Sequence, residues 1–221
     1  MLETNIEKIS QVREKTIEIL EDLTISQKLA LHALEACDEK SFLQIKIPLK
    51  KINEQVEDVD NLIVTILARY APEASDLREV VAFLKITYSL QRIATNEKNY
   101  MKNMSICNAQ TDPEAKRIIQ ESLAINRCTI RALESIIEMI QTTNDHSALE
   151  DLERKINLEN SKTDDIYSVI EKEALQVMHK ESNINDISWD LLKYIRKNLK
   201  IMERLEDIAS KLIFARIGGK L

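Results

Sequence analysis

Glu203 and Asp207 stand four residues apart, a spacing that puts both carboxylates on one face of a helix. Two carboxylates so placed could offer oxygen ligands to a hard or borderline cation, provided a second helix brings another donor. The same residues also fit a plain surface ladder. Lys200, Glu203, Asp207 and Lys211 are spaced for i,i+3 and i,i+4 ion pairs, each worth only about 0.2–0.5 kcal/mol. Other chemistry is hard to assemble. His32, His146 and His179 have Leu29, Thr143 and Gln176 three residues before them, so the Glu-x-x-His pairs of di-iron bundles are missing. No His-Glu-x-x-His run occurs, and no glycine-flanked serine forms a nucleophile elbow. Cys37, Cys107 and Cys128 make an odd, widely spaced set without a basic cluster, the pattern of incidental thiols in a reduced, cytoplasmic protein. The residues predict no enzyme.

The elements that must position these groups are helices. The 221 residues include only 2 glycines and 3 prolines. A turn-rich β fold needs glycine or asparagine wherever φ is positive, and a dinucleotide or phosphate loop needs glycine where backbone crowds a ligand. Apolar residues recur every three or four positions. The cleanest run is Ile45, Leu49, Ile52, Val56, Val59, Ile63, Ile66 and Tyr70. A second runs from Ile119 to Ile140, broken by Asn126, and a third from Leu192 to Leu212. Each stripe demands burial against partner helices.

Breaks carry helix-start and helix-stop chemistry. Asp112-Pro113-Glu114 reads as cap, first-turn proline and acidic residue at the positive end of the dipole. Pro72 stops one helix, and Ser75 or Asp76 is expected to cap the next. Asn144-Asp145 and Asn183 to Asp186 begin two more, and Gly218-Gly219 ends the last. Pro48 marks a kink or a short preceding helix. Six helices follow, near 4–37, 39–70, 74–108, 113–143, 147–181 and 185–216. They are expected as two three-helix units, 1–110 and 111–221, with Leu90-Gln91-Arg92-Ile93 and Met202-Glu203-Arg204-Leu205 at matching places.

The formal charge of −6 is spread along the chain, which argues against a nucleic-acid partner while leaving room for a local basic patch. No stretch approaches the roughly 18 apolar residues of a membrane span. Met1 to Ser10 lacks the pattern of a signal peptide. Trp189, Met101 and Met104 are expected as packing residues.

The run Arg69-Tyr70-Ala71-Pro72-Glu73-Ala74-Ser75-Asp76-Leu77-Arg78 resembles the R-x-x-P-x-A-S-D-L-R signature of PhoU-type phosphate-transport regulators. Where that family carries E-R-I-G-D, this chain has Gln91-Arg92-Ile93-Ala94-Thr95, and later Glu203-Arg204-Leu205-Glu206-Asp207. The resemblance covers nearly the whole chain. It implies a non-enzymatic pair of three-helix bundles, often dimeric, that contacts a phosphate ABC transporter and a sensor histidine kinase.

The resemblance also implies metal-binding carboxylates on the second and third helices of each repeat. Carried over, these are Asp164, Glu203 and Asp207 in the second repeat, with Asn160 as a neutral, weaker donor, for a divalent or iron-type ion. In the first repeat Gln91 and Thr95 replace the acidic pair and Val56 stands one turn before Asp60, leaving Glu57, Asp60 and Asn53; that site is expected to be lost or weakened. Arg92 and Arg204 occur in both repeats and are expected to hold carboxylates in the bundle. Asp76 and Arg78 are candidates for partner contact.

Three functions compete. The first is a cytoplasmic adaptor in phosphate uptake and phosphate-starvation signalling. The second is a metal-binding helical module using Asp164, Glu203 and Asp207. The third is an accessory subunit of another phosphate or cation transporter. The Pro-x-Ala-Ser-Asp-Leu-Arg run favours the first.

Overall fold

A computed structural model of the chain describes residues 2–36, 39–104, 113–143, 145–180 and 186–218. Six long helices and one short one account for nearly all of them. They are α1 (Leu2–Ala36), α2 (Glu39–Gln44), α3 (Lys46–Arg69), α4 (Ala74–Met104), α5 (Pro113–Gln141), α6 (His146–Lys180) and α7 (Asp186–Arg216). No strand occurs among the described residues. A 35-residue helix such as α1 is about 52 Å long at 1.5 Å per residue. Cys37, Cys107, Asp112, Asn144, Asn183 to Asn185 and Gly219 lie outside the described residues, as do the side chains of His179 and Asp186.

The punctuation acts as its chemistry requires. Pro113 opens α5 with Glu114 in the first turn. The Asp145 carboxylate accepts the Ala148 N–H at 2.9 Å and caps α6. Gly218 takes φ +97° just past α7, and its N–H reaches the Phe214 carbonyl at 3.0 Å. At Pro48 the chain resolves the expected break as a separate short helix, α2, before α3 begins. The cap expected from Ser75 or Asp76 is not made in that form. Because α4 starts at Ala74, both residues fall inside its first turn, and the Asp76 carboxylate accepts from Asn5 of α1 at 3.0 Å.

Helices α1, α3 and α4 pack on one another, as do α5, α6 and α7. The two sets meet through α4 against α7, the most extensive pairing, and through α1 against α5. Four helices (α1, α4, α5 and α7) therefore form the middle of the molecule, with α3 and α6 on the flanks. The α3 stripe from Ile45 to Ile66 is buried, as are Leu123, Leu133 and Ile140 of α5 and Leu192, Met202 and Leu212 of α7. One continuous apolar core joins all six long helices. At roughly 25 cal/mol per Å² of apolar area, burial of these stripes is the main force holding the helices together. Met101 and Met104 pack in this core, but Trp189 does not. It is 47% exposed, with the Lys193 ammonium 6.0 Å from its ring centre.

Candidate functional site

The acidic residues of α6 and α7 are held by their helices but face different surroundings. The Ser89 hydroxyl of α4 donates to Asp207 Oδ2 at 2.9 Å, and Lys211 pairs with Oδ1. Partial burial would raise the Asp207 pKa, but the hydrogen bonds from Lys211 and Ser89 outweigh it and hold the carboxyl below its ordinary value. Asp207 is thus an anion fastening α7 to α4. Glu203 and Asp164 are exposed. Asn160 donates its amide to Glu206 Oε2 at 2.8 Å and so joins α6 to α7 through a residue next to Asp207 in sequence. Among the described residues, no three of the His, Cys, Asp and Glu side chains form a group that could hold a metal ion. Asp164, Glu203 and Asp207 do not form such a group.

The first half is organised differently at the matching positions. The Thr87 hydroxyl donates to Asp60 Oδ1 at 2.6 Å, bridging α4 to α3. Gln91 and Thr95 are exposed, and Thr95 bonds back to the Gln91 carbonyl at 2.9 Å. Among the described residues Arg92 holds no carboxylate. Its guanidinium donates to the Tyr88 hydroxyl at 3.1 Å and lies over that ring, 5.3 Å from the centroid.

The Arg69–Arg78 run forms the corner between α3 and α4. Ala71 and Ala74 both take positive φ, +44° and +46°. For residues bearing a Cβ this conformation costs roughly 1 kcal/mol. Pro72 is buried, Asp76 and Arg78 are half-buried, and the Arg78 Nε is enclosed without a hydrogen-bond partner.

Among the described residues, three buried carboxylates lie outside the sequence-derived set. Glu79 receives Arg13 of α1 through two hydrogen bonds of 2.5 and 2.7 Å, and Arg216 of α7 at 3.2 Å. The hydrogen bond to Glu79 pushes the Arg13 pKa up, whereas burial pulls that of Arg216 down despite the same partner. The two directions agree with the geometry, since Arg13 holds the short bidentate contact. Glu159 of α6 accepts from Arg131 of α5 at 2.5 Å and from Lys162 at 3.0 Å. Burial alone would raise its pKa, but hydrogen bonds from Arg131, Lys162 and Cys128 hold it at about 2.

Glu97 of α4 is fully buried, and burial pushes its pKa up to about 8. Ser26 and Gln27 of α1 offset part of that penalty, yet neither Glu97 oxygen meets a donor in hydrogen-bond geometry. Around it, Tyr100 donates to Asn126 at 2.8 Å, Asn126 to Gln27 at 3.2 Å, and Gln27 to Asn198 at 3.5 Å. This polar network links α1, α4, α5 and α7 at the middle of the molecule. The sequence signal for these groups is their place in apolar stripes: Glu79, Phe83, Ile86, Leu90, Ile93, Glu97, Tyr100 and Met104 alternate by four and three along α4 and are all buried.

Comparison with known proteins places this arrangement. Residues 16–104, from within α1 to the end of α4, match the family model of the PhoU domain. A curated relative, the phosphate-specific transport system accessory protein PhoU homolog of Zymomonas mobilis subsp. mobilis, is 25% identical over 196 residues, 86% of this chain and 77% of the relative. Among solved structures, PhoU from Pseudomonas aeruginosa superposes with a TM-score of 0.84 at 19% identity, over 96% of this chain and 99% of that one. The phosphate transport system regulatory protein PhoU from Streptococcus pneumoniae gives 0.74 at 16% identity, over 98% and 99%. A PhoU-like protein from Shewanella oneidensis MR-1 gives 0.64 at 14% identity, over 92% and 97%. At these identities the solved structures speak for the fold. Residues 16–104 thus match a PhoU domain, and the chain as a whole shares the fold of the solved PhoU structures.

Proposed function

We propose that the chain regulates phosphate transport as a non-enzymatic, cytoplasmic adaptor built from two three-helix repeats, 1–110 and 111–221. The observation that carries this reading is the PhoU domain match over residues 16–104, which includes the Arg69–Arg78 corner. No helix among the described residues is long and apolar enough to cross a membrane, so the adaptor would act on membrane components by docking. Its partners would be the ATPase of a phosphate ABC transporter and a sensor histidine kinase, and its own state a homodimer.

The mechanism would be occupancy. A body whose six long helices share one core binds a partner as a single rigid wedge and favours whichever partner conformation fits it. The half-buried Asp76 and Arg78 sit at a corner whose backbone is strained at two alanines, and they would contribute to the docking face. Affinity purification from phosphate-replete and phosphate-starved cells tests the reading. Recovery of the transporter ATPase or the kinase, reduced by Arg78→Glu, is expected. Recovery of neither, from cells shown to express both, would overturn it.

A further inference from the structure

Helix α4 is apolar on two opposite sides. One stripe, from Glu79 to Met104, is buried in the core. The other points outward over the first half of the helix, through Leu77, Val81, Leu84 and Tyr88. The stripe ends there, because Gln91, Arg92, Thr95 and Asn99 continue the same face and are polar and exposed. The Thr87–Asp60 hydrogen bond fixes how α3 lies alongside. Since α3 and α4 run antiparallel from the Arg69–Arg78 corner, Val64 and Leu67, one and two turns on from Asp60, come level with Leu84 and Val81. Val81 is half-buried, while Val64, Leu67, Leu77, Leu84 and Tyr88 are between 36% and 58% exposed. At roughly 200 Å² for each whole side chain of this size, these five present about 450 Å² of surface. Apolar patches of that extent commonly serve as docking faces.

The order of the stripe says what covers it. With the residue just before α4 and the next outward position added, it reads Glu73, Leu77, Val81, Leu84, Tyr88, Arg92. The spacings are four, four, three, four and four, the same in both directions. Two copies of α4 laid antiparallel about a twofold axis between Val81 and Leu84 would set Leu77 against Tyr88 and Val81 against Leu84. They would also set Glu73 against Arg92, and each pair would occur twice. Apolar positions then meet apolar positions, and the two ends meet with opposite charge. A parallel pairing would instead place like charges together at both ends. Glu73 and Arg92 are both exposed, and the Arg92 guanidinium lies over the Tyr88 ring. Lys85, exposed at the edge of the stripe, would stay in the hydrated rim. The area fits too. A standard interface covers about 800 Å² per partner, about 57% of it apolar, so each copy must supply about 450 Å² of apolar surface.

We infer that the outward face of α4, with the adjoining edge of α3, is a self-pairing surface whose occupant is a second copy of this chain, docked antiparallel α4 to α4. The inference deepens the homodimer of the proposed function and rests on it, giving that homodimer a face and a register. The substitutions that test it fall on exposed side chains, so the helices should survive them.

Sedimentation velocity on the full chain, from about 1 to 100 µM, reads the pairing directly. A monomer–dimer equilibrium is expected, and Leu84→Asp should weaken it at least about tenfold. Glu73→Arg and Arg92→Glu should each weaken it about threefold or more, since each creates two like-charge pairs. The double variant Glu73→Arg/Arg92→Glu should return to within about twofold of the parent, a rescue that requires the two residues to face each other across the axis. Circular dichroism and thermal unfolding would show that each variant is folded. A dimer insensitive to Leu84→Asp, or a double variant as weak as the single ones, would overturn the surface and leave the proposed homodimer standing. A chain that stays monomeric throughout would overturn both. If Leu84→Asp then abolished recovery of the transporter ATPase or the kinase, the face would belong to that partner instead.

Discussion

The Ser89 hydroxyl and the Asp207 carboxylate, 118 residues apart in sequence, meet at 2.9 Å where α4 crosses α7. This contact spans the most extensive helix pairing in the molecule. It commits Asp207 to holding the two halves together, with Lys211 on its other oxygen. A carboxylate so engaged is a poor ligand for a cation that must also recruit the exposed Asp164 and Glu203.

Purified without chelator, the chain should therefore carry well under about one equivalent of iron, zinc, manganese or magnesium by elemental mass spectrometry. Glu203→Ala/Asp207→Ala should leave that content unchanged and lower unfolding free energy by about 1 kcal/mol, the scale of a partly exposed charge-assisted bond. Stoichiometric metal in the parent and its loss from the variant would restore the ligand set.

Removing the Glu79 carboxylate should be far more damaging. Glu79→Gln leaves Arg13 and Arg216 enclosed without their anion, and losing one member of a buried pair costs about 3–5 kcal/mol. Arg13 is partly wet, with 26% of its side chain exposed, so about 2–4 kcal/mol is expected in urea denaturation. Replacing all three residues by apolar ones of similar volume should cost much less than the single change.

Glu97 gives the fold a pH dependence of definite sign. Its folded pKa, about 8, lies above the ordinary carboxyl value of 4.5. Between those values the folded state holds a proton that the unfolded chain has released. Its contribution is complete below about pH 4.5 and is lost as pH rises through about 8. Glu97→Gln, which keeps the neutral shape, should raise Tm relative to the parent more at pH 8 than at pH 5. A constant difference across that range would contradict the assignment.

Ala71 and Ala74 offer a test of the strained corner. Glycine adopts positive φ without steric cost, although it loses more entropy on folding. Ala71→Gly and Ala74→Gly should each lie between neutral and about 1 kcal/mol stabilising by thermal denaturation. A clear loss of stability in both would show that the corner is not strained.

Much of this architecture was legible because helix punctuation is local chemistry. Pro113, Asp145 and Gly218 act through their own backbone or the first turn beside them, and the α3 stripe from Ile45 to Ile66 needed only a partner to bury against. What could not be read is where half-buried polar residues point. Asp207 and Glu203 share a face by spacing, yet Asp207 is half-buried and meets α4 while Glu203 is exposed, a difference set by how α7 is rotated against α4. Arg92 was expected on a carboxylate and found a nearer partner in Tyr88, one turn back on its own helix. The buried acids Glu79, Glu97 and Glu159 were visible in principle as charged residues at stripe positions. The groups facing them, Arg13, Gln27 and Arg131, come from other helices that the stripe does not specify.

The most direct test of the account is phosphate uptake and a phosphate-starvation reporter in a strain lacking this gene, complemented by the parent chain or by Glu203→Ala/Asp207→Ala. The account predicts that loss derepresses the reporter in phosphate-replete medium and that both versions restore repression. No change in uptake or reporter on deletion would contradict the regulatory role itself.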